Sequence, residues 1–206
     1  MDMKRKATIT LLSMLLMAAL WMAALCGCGS KSAANTIGPW DTPDQQMQAV
    51  IEILSTGGFS AFAGFEVDET YQSAKMGIEY YKDGKLVKDQ GQGSIALGDT
   101  SEGIAGFSCK DGTATIGVSV DGSTSCVSDI QLSGYPKDGD DIDILFVPLS
   151  ESKDIADGQK NYLGILNTGS DGLDTAVFDA SYDKSKLAGK SWLFYVEFST
   201  EPLEKN

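Results

Sequence analysis

Residues 110–123, Lys-Asp-Gly-Thr-Ala-Thr-Ile-Gly-Val-Ser-Val-Asp-Gly-Ser ("KDGTATIGVSVDGS"), decide the fold. Ala114, Ile116, Val118 and Val120 alternate with Thr115, Gly117 and Ser119. That is the period of two expected of a half-buried strand. Both ends of the run carry Asp-Gly, at 111–112 and 121–122. An Asp-Gly pair between strand-like runs is a strong signal for a two-residue hairpin, because both central positions of the favoured turn need a positive φ. The stretch therefore reads as a strand joined at either end to an antiparallel neighbour.

The same device recurs upstream, where Lys82-Asp83-Gly84-Lys85 follows a run in which Met76, Ile78 and Tyr80 alternate with Lys75, Gly77, Glu79 and Tyr81. Strand signals begin after Phe65 and continue at 104–109, 128–132, 142–149, 162–166, 176–178 and 192–198. In the last of these, Trp192, Phe194, Val196 and Phe198 share one face, with Leu193 and Tyr195 on the other, so both faces are expected to be partly covered. Eight or nine short strands separated by Gly-rich turns predict a mainly β domain, an antiparallel sandwich or barrel. No alternating strand–helix rhythm suggests a doubly wound sheet. One helix is expected over 43–55. Thr42 and Gln45 form a capping box, Pro43 suits the first helical position, and Met47, Val50, Ile51 and Leu54 share one face. It is expected to cover an end or edge of the sheets.

The chain opens differently. Lys4-Arg5-Lys6 precedes an uncharged run from Ala7 to Leu25, which ends in Leu25-Cys26-Gly27-Cys28. A basic start, an apolar stretch and a small-residue exit describe a secretory signal peptide, although a run of this length can also span a bilayer. The tail of the run resembles the lipobox of bacterial lipoproteins, with Cys26 a departure at the tolerant position. The resemblance covers about the first 30 residues. It implies lipidation of Cys28 on its thiol and cleavage after Gly27, so that residues 1–27 leave and the membrane is a partner through the anchor at Cys28. Two acyl chains there would suffice for stable anchoring. The competing readings are an uncleaved anchor and a Cys-x-Cys metal pair, the latter without a second ligand pair nearby. Residues 28–38, small and polar, are expected to be a flexible tether, and 39–206 an extracytoplasmic domain.

Composition narrows the partners. The chain has 16 basic and 29 acidic residues and a net charge of −13. Loss of residues 1–27 removes Lys4, Arg5, Lys6 and Asp2, which leaves a net charge of −15 and no arginine. Nucleic-acid binding needs a basic footprint and is not expected. Histidine is absent from the sequence, which excludes Ser-His-Asp and Cys-His catalysis and His-ligated zinc. No cofactor is expected.

Cys109 and Cys126 are the cysteines left within the domain. Outside the cytoplasm such a pair is expected to form a disulfide, contributing about 3 kcal/mol for this loop length. One geometric obstacle is visible in advance. If residues 104–109, 114–120 and 126–132 were neighbours in one flat sheet, the two cysteines would lie about 9.5 Å apart by strand spacing alone, beyond disulfide reach.

The carboxylate-rich run 137–143 and the turn 167–172 are candidate calcium loops, but both depart from the EF-hand pattern. Tyr80, Tyr81, Tyr162, Trp192 and Tyr195 are a candidate sugar-stacking platform or, alternatively, core. No catalytic residue is singled out. The function expected is a lipid-anchored, non-enzymatic binding or interaction module of the cell envelope. The alternatives are a carboxylate-based hydrolase, which needs two acidic groups about 5 to 10 Å apart, and a calcium-dependent adhesin.

Overall fold

The computed structural model describes residues 35–40, 58–98, 101–137, 140, 142–169, 175–179 and 181–203. The helix expected over 43–55, the signal segment and Cys28 lie outside these. The described residues are mainly β. Eleven strands run β1 Thr36–Pro39, β2 Phe59–Val67, β3 Ser73–Lys82, β4 Lys85–Ala96, β5 Ser101–Lys110, β6 Thr113–Val120, β7 Ser123–Gln131, β8 Leu145–Pro148, β9 Lys153–Asp154, β10 Lys160–Asn167 and β11 Lys190–Ser199. They form a six-stranded sheet, ordered β7-β6-β5-β2-β1-β9, and a five-stranded sheet, ordered β4-β3-β11-β10-β8. Every pairing is antiparallel.

The three Asp-Gly turns build the hairpins as their chemistry requires. Asp83, Asp111 and Asp121 have φ of 48°, 49° and 48°, and the glycines that follow have 74°, 75° and 78°. Positive φ at both positions gives a turn whose twist matches that of the flanking strands. The alternation in β6 is realised as read: Ala114, Ile116, Val118 and Val120 are buried and the residues between them are partly exposed.

Inner faces of the two sheets share one core. Phe107 of β5 lies parallel to Phe194 of β11, with ring centroids 3.7 Å apart, and Phe65 of β2 meets Phe198 of β11 at 4.8 Å. Gly164 of β10 makes room for this packing, since a Cβ there would lie 2.7 Å from the Phe107 ring. Tyr80 stacks on Trp192 at 5.5 Å, and the indole N–H donates to the Ser133 carbonyl at 3.0 Å, so the buried polar atom of the tryptophan is satisfied. The two-faced reading of β11 holds: Leu193 and Tyr195 are buried on its other side.

Four expectations are corrected. Residues 36–38, assigned to the tether, belong to β1, which pairs with β2 and β9. Asn35 anchors the start of this strand; its amide donates to the Asp68 carboxylate and its side-chain oxygen accepts from the Asp68 N–H. Strand structure also begins before Phe65, with β2 from Phe59. Its alternation is muted because Ala61, Ala63 and Gly64 contribute little hydrophobic contrast. Residues 176–178 form part of a 3-10 turn, Thr175–Phe178, that buries the adjacent Val177 and Phe178 together; a strand would send them to opposite faces.

The Cys109–Cys126 disulfide is the fourth: both thiols are free. Cys109 is on β5 and Cys126 on β7, with β6 between them. Cys109 sits opposite Ala114 while Cys126 sits opposite Gly117, so the two are offset along the strands as well. Cys109 points into the core and Cys126 is exposed. A bond would have to pass through the sheet.

Candidate functional site

The outer face of the five-stranded sheet carries a polar cluster that no motif announced. Glu79 of β3 and Asp89 of β4 face each other in register. Lys160 of β10 reaches across to both, with Nζ 2.8 Å from Glu79 Oε1 and 2.9 Å from Asp89 Oδ2. Three tyrosines complete the set. Tyr162 and Tyr81 donate to Glu79 Oε2 at 2.8 and 3.2 Å, and Tyr195 donates to the Asp89 carboxylate at 3.1 Å.

Local sequence explains the assembly. Tyr195 lies opposite Gly77, and its phenol ring crosses the space that a side chain at 77 would fill. The ring becomes a floor for the lysine, whose Nζ is 4.1 Å from its centroid. Such a cation–π contact adds to the two ion pairs. The Glu79 side chain is only 7% exposed, whereas those of Lys160 and Asp89 are 26% and 25% exposed. A carboxylate as buried as Glu79 is tolerated because a cation and two hydroxyls satisfy it.

These contacts shape the acid–base behaviour. Burial alone would lower Lys160, but its hydrogen bonds to Glu79 and Asp89 outweigh that and hold it above the ordinary lysine value. Burial, reinforced by the Glu79 charge, raises Tyr162 strongly and Tyr81 to about 12. Burial also raises Tyr195 to about 12, against the opposing Lys160 charge. All three phenols thus remain protonated donors. Beside the cluster opens a groove of about 360 Å³, bordered by Lys75, Gln92, Ser94 and Glu197 together with Asp89, Lys160 and Tyr195. Its lining combines two lysines, two carboxylates, an amide and a hydroxyl with Tyr195 and Met76, which suits a polar ligand.

A second depression, about 430 Å³, holds Lys153 with Glu151, Gln159 and Asp179. Lys153 Nζ donates to the Phe178 carbonyl at 3.2 Å. Burial pushes this lysine down to about 8, with the Asp179 charge opposing.

The residues singled out in the sequence fare unevenly. Tyr81, Tyr162 and Tyr195 come together, but as hydrogen-bond donors and floor of the cluster; Tyr80 and Trp192 belong to the core. Asp138, Gly139 and Asp141 of the first candidate calcium loop, and Ser170, Asp171 and Gly172 of the second, lie outside the described residues. The Asp140 carboxylate accepts from the Lys137 N–H, which closes a turn. Asn167 is buried, donates to the Ala188 carbonyl and Ser191, and accepts from the Gly169 N–H. No group of three or more potential metal ligands occurs among the described residues. Glu79, Asp89 and Lys160 were missed, because charged residues on alternating strands look like solvated positions until the register is known. The one available signal was Glu79 two residues after Gly77, on the same face of a strand otherwise rich in large side chains.

Comparison with known proteins found no match to a family model, to a curated protein or to a solved structure.

Proposed function

We propose that this chain is a lipid-anchored binding module of the cell envelope, tethered through Cys28 on the extracytoplasmic face of the membrane, with its two sheets forming a β-sandwich. The observation that carries the binding reading over the hydrolase is the state of Glu79 and Asp89. They are close enough to share one lysine. A glycosidase needs one carboxyl free to donate a proton and another free to attack or activate water. Here Lys160 and the tyrosines engage both, leaving an adjoining groove that can contact a ligand without transforming it. A polar ligand without phosphate fits best, since the domain is acidic and lacks arginine. The basic start, apolar run and Leu25–Cys28 motif support the anchor.

Two measurements test this. Labelled fatty acid is expected to be incorporated into the full chain but not into a Cys28→Ser variant; incorporation that survives the substitution removes the anchor. Retention on immobilised cell-wall polysaccharide is expected without release of reducing ends, and to weaken on Gln92→Ala. Release of reducing ends that is abolished by Glu79→Gln would replace the binding module with a hydrolase.

A further inference from the structure

The Lys160–Glu79–Asp89 cluster has the parts needed for a reaction within the chain itself. An amine touches two carboxyl groups, one of them nearly buried and one at the groove. We infer that Lys160 and Asp89 are a self-crosslinking site, at which the lysine Nζ and the aspartate Cγ condense to a side-chain amide with Glu79 as proton carrier.

The step balances without a co-reactant. The ion pair holds Lys160 as the ammonium, so the reacting form is the transient one in which Glu79, 2.8 Å from Nζ, has carried a proton from Nζ to the Asp89 carboxylate and left a neutral amine beside a neutral carboxyl. The amine lone pair forms the N–C bond to Asp89 Cγ, which is one bond beyond the oxygen that Nζ already touches at 2.9 Å. The Tyr195 hydroxyl, 3.1 Å from both carboxylate oxygens, stabilises the oxyanion as the carbon becomes tetrahedral. Glu79 then takes the second proton from the nitrogen and delivers it to the departing hydroxyl, which leaves as water as the C–O bond breaks. Ammonium and carboxylate become amide and water, and Glu79 ends as it began. No electron acceptor, metal or nucleotide is needed.

Geometry supplies what free lysine and aspartate lack. In water the two groups are held apart by hydration and collide at random. Here strand register brings them together, and well-oriented intramolecular pairs reach effective molarities of roughly 10⁵–10⁸ M. Tyr162 and Tyr81 both donate to Glu79 Oε2, which leaves Oε1 to the lysine and orients the carrier. The Tyr195 ring beneath Nζ shields one side of the amine from water. The product would tie β4, at one edge of the sheet, to β10, across the intervening β3 and β11. A covalent tie of this kind suits a domain exposed to proteases and shear. It requires only the folded domain, neither the anchor nor a ligand.

The test is a tryptic peptide map of the full chain with mass measurement. The expected result is one branched peptide joining the segment that starts at Asp89 to the segment spanning Lys160, lighter than the sum of the two by one water, with no cleavage after Lys160. Lys160→Arg, which keeps the charge, should give only linear peptides. Glu79→Gln should leave most of the chain unlinked, while Asp89→Asn should still link, with loss of ammonia in place of water. Linear peptides cleaved after Lys160 in the folded wild-type chain would overturn the inference. Full linkage in Glu79→Gln would overturn the role given to Glu79.

Discussion

Lys153 shows how burial turns an ordinary residue into a pH-sensitive one. Its folded value is lowered to about 8 from the 10.5 of a free lysine. Below pH 8 both folded and unfolded chains carry the proton, and the folded state bears the desolvation cost in full. Between about pH 8 and 10.5 the unfolded chain holds a proton that the folded chain has released, so stability rises with pH across that window. The urea midpoint of the wild type is therefore expected to rise relative to that of Lys153→Met between pH 7 and 10; parallel curves would show that the side chain stays solvated. The cysteines make the complementary case. Burial raises Cys109 to about 12, whereas Cys126 is exposed. A thiol reagent applied to the native chain should modify Cys126 and spare Cys109, with both modified in denaturant and the pattern unchanged by prior reduction. Neither contrast could be read from the residues alone, because a lysine or cysteine in a β-rich sequence carries no mark of which face or edge it will occupy.

At the scale of elements, the hairpins were the most legible part of the chain. Asp83-Gly84, Asp111-Gly112 and Asp121-Gly122 all make the turn that their chemistry favours. Their glycines are not equivalent, however. Gly122 has a positive φ but open space around it, whereas a Cβ at Gly112 would lie 2.7 Å from the Tyr135 ring. Gly122→Ala should cost about 1–2 kcal/mol, the strain of a left-handed non-glycine residue. Gly112→Ala should cost about 1–3 kcal/mol more through overpacking. Chemical denaturation of the two variants checks the order; equal losses would mean that Tyr135 moves aside freely. Less legible were the weakly patterned elements. β1 hides in a polar stretch because its four residues gain their stability from pairing with β2 and β9. Residues 176–178 looked extended from their apolar content, but the segment curls so that Val177 and Phe178 bury together.

For the whole molecule, the contact of the two inner faces carries the energetics. Phe107 and Phe194 are both 2% exposed or less and lie ring to ring. Truncating either to alanine is expected to cost about 3–5 kcal/mol. Because the rings share one interface, the double variant should lose less than the sum of the two, with a coupling of about 0.5–1.5 kcal/mol. Additive losses in a denaturation cycle would place the two side chains in independent environments. The same assembly creates the candidate site. Glu79, Asp89 and Lys160 come from three strands, and Tyr195 from a fourth runs between them across Gly77. Their partnership exists only because β3, β4, β10 and β11 share a sheet.

The sequence by itself determined the β class, the antiparallel hairpins, the acidic character with no arginine after Arg5, and the exclusion of histidine chemistry. Each of these follows from local spacing or from composition. Tertiary structure alone decided which strands share a sheet, that Cys109 and Cys126 stay apart, and that one lysine joins two carboxylates. Strand order and register between segments distant in the chain are set by how whole faces pack. Alternation within one strand says which residues lie together on a face, but not which other strand will lie beside it.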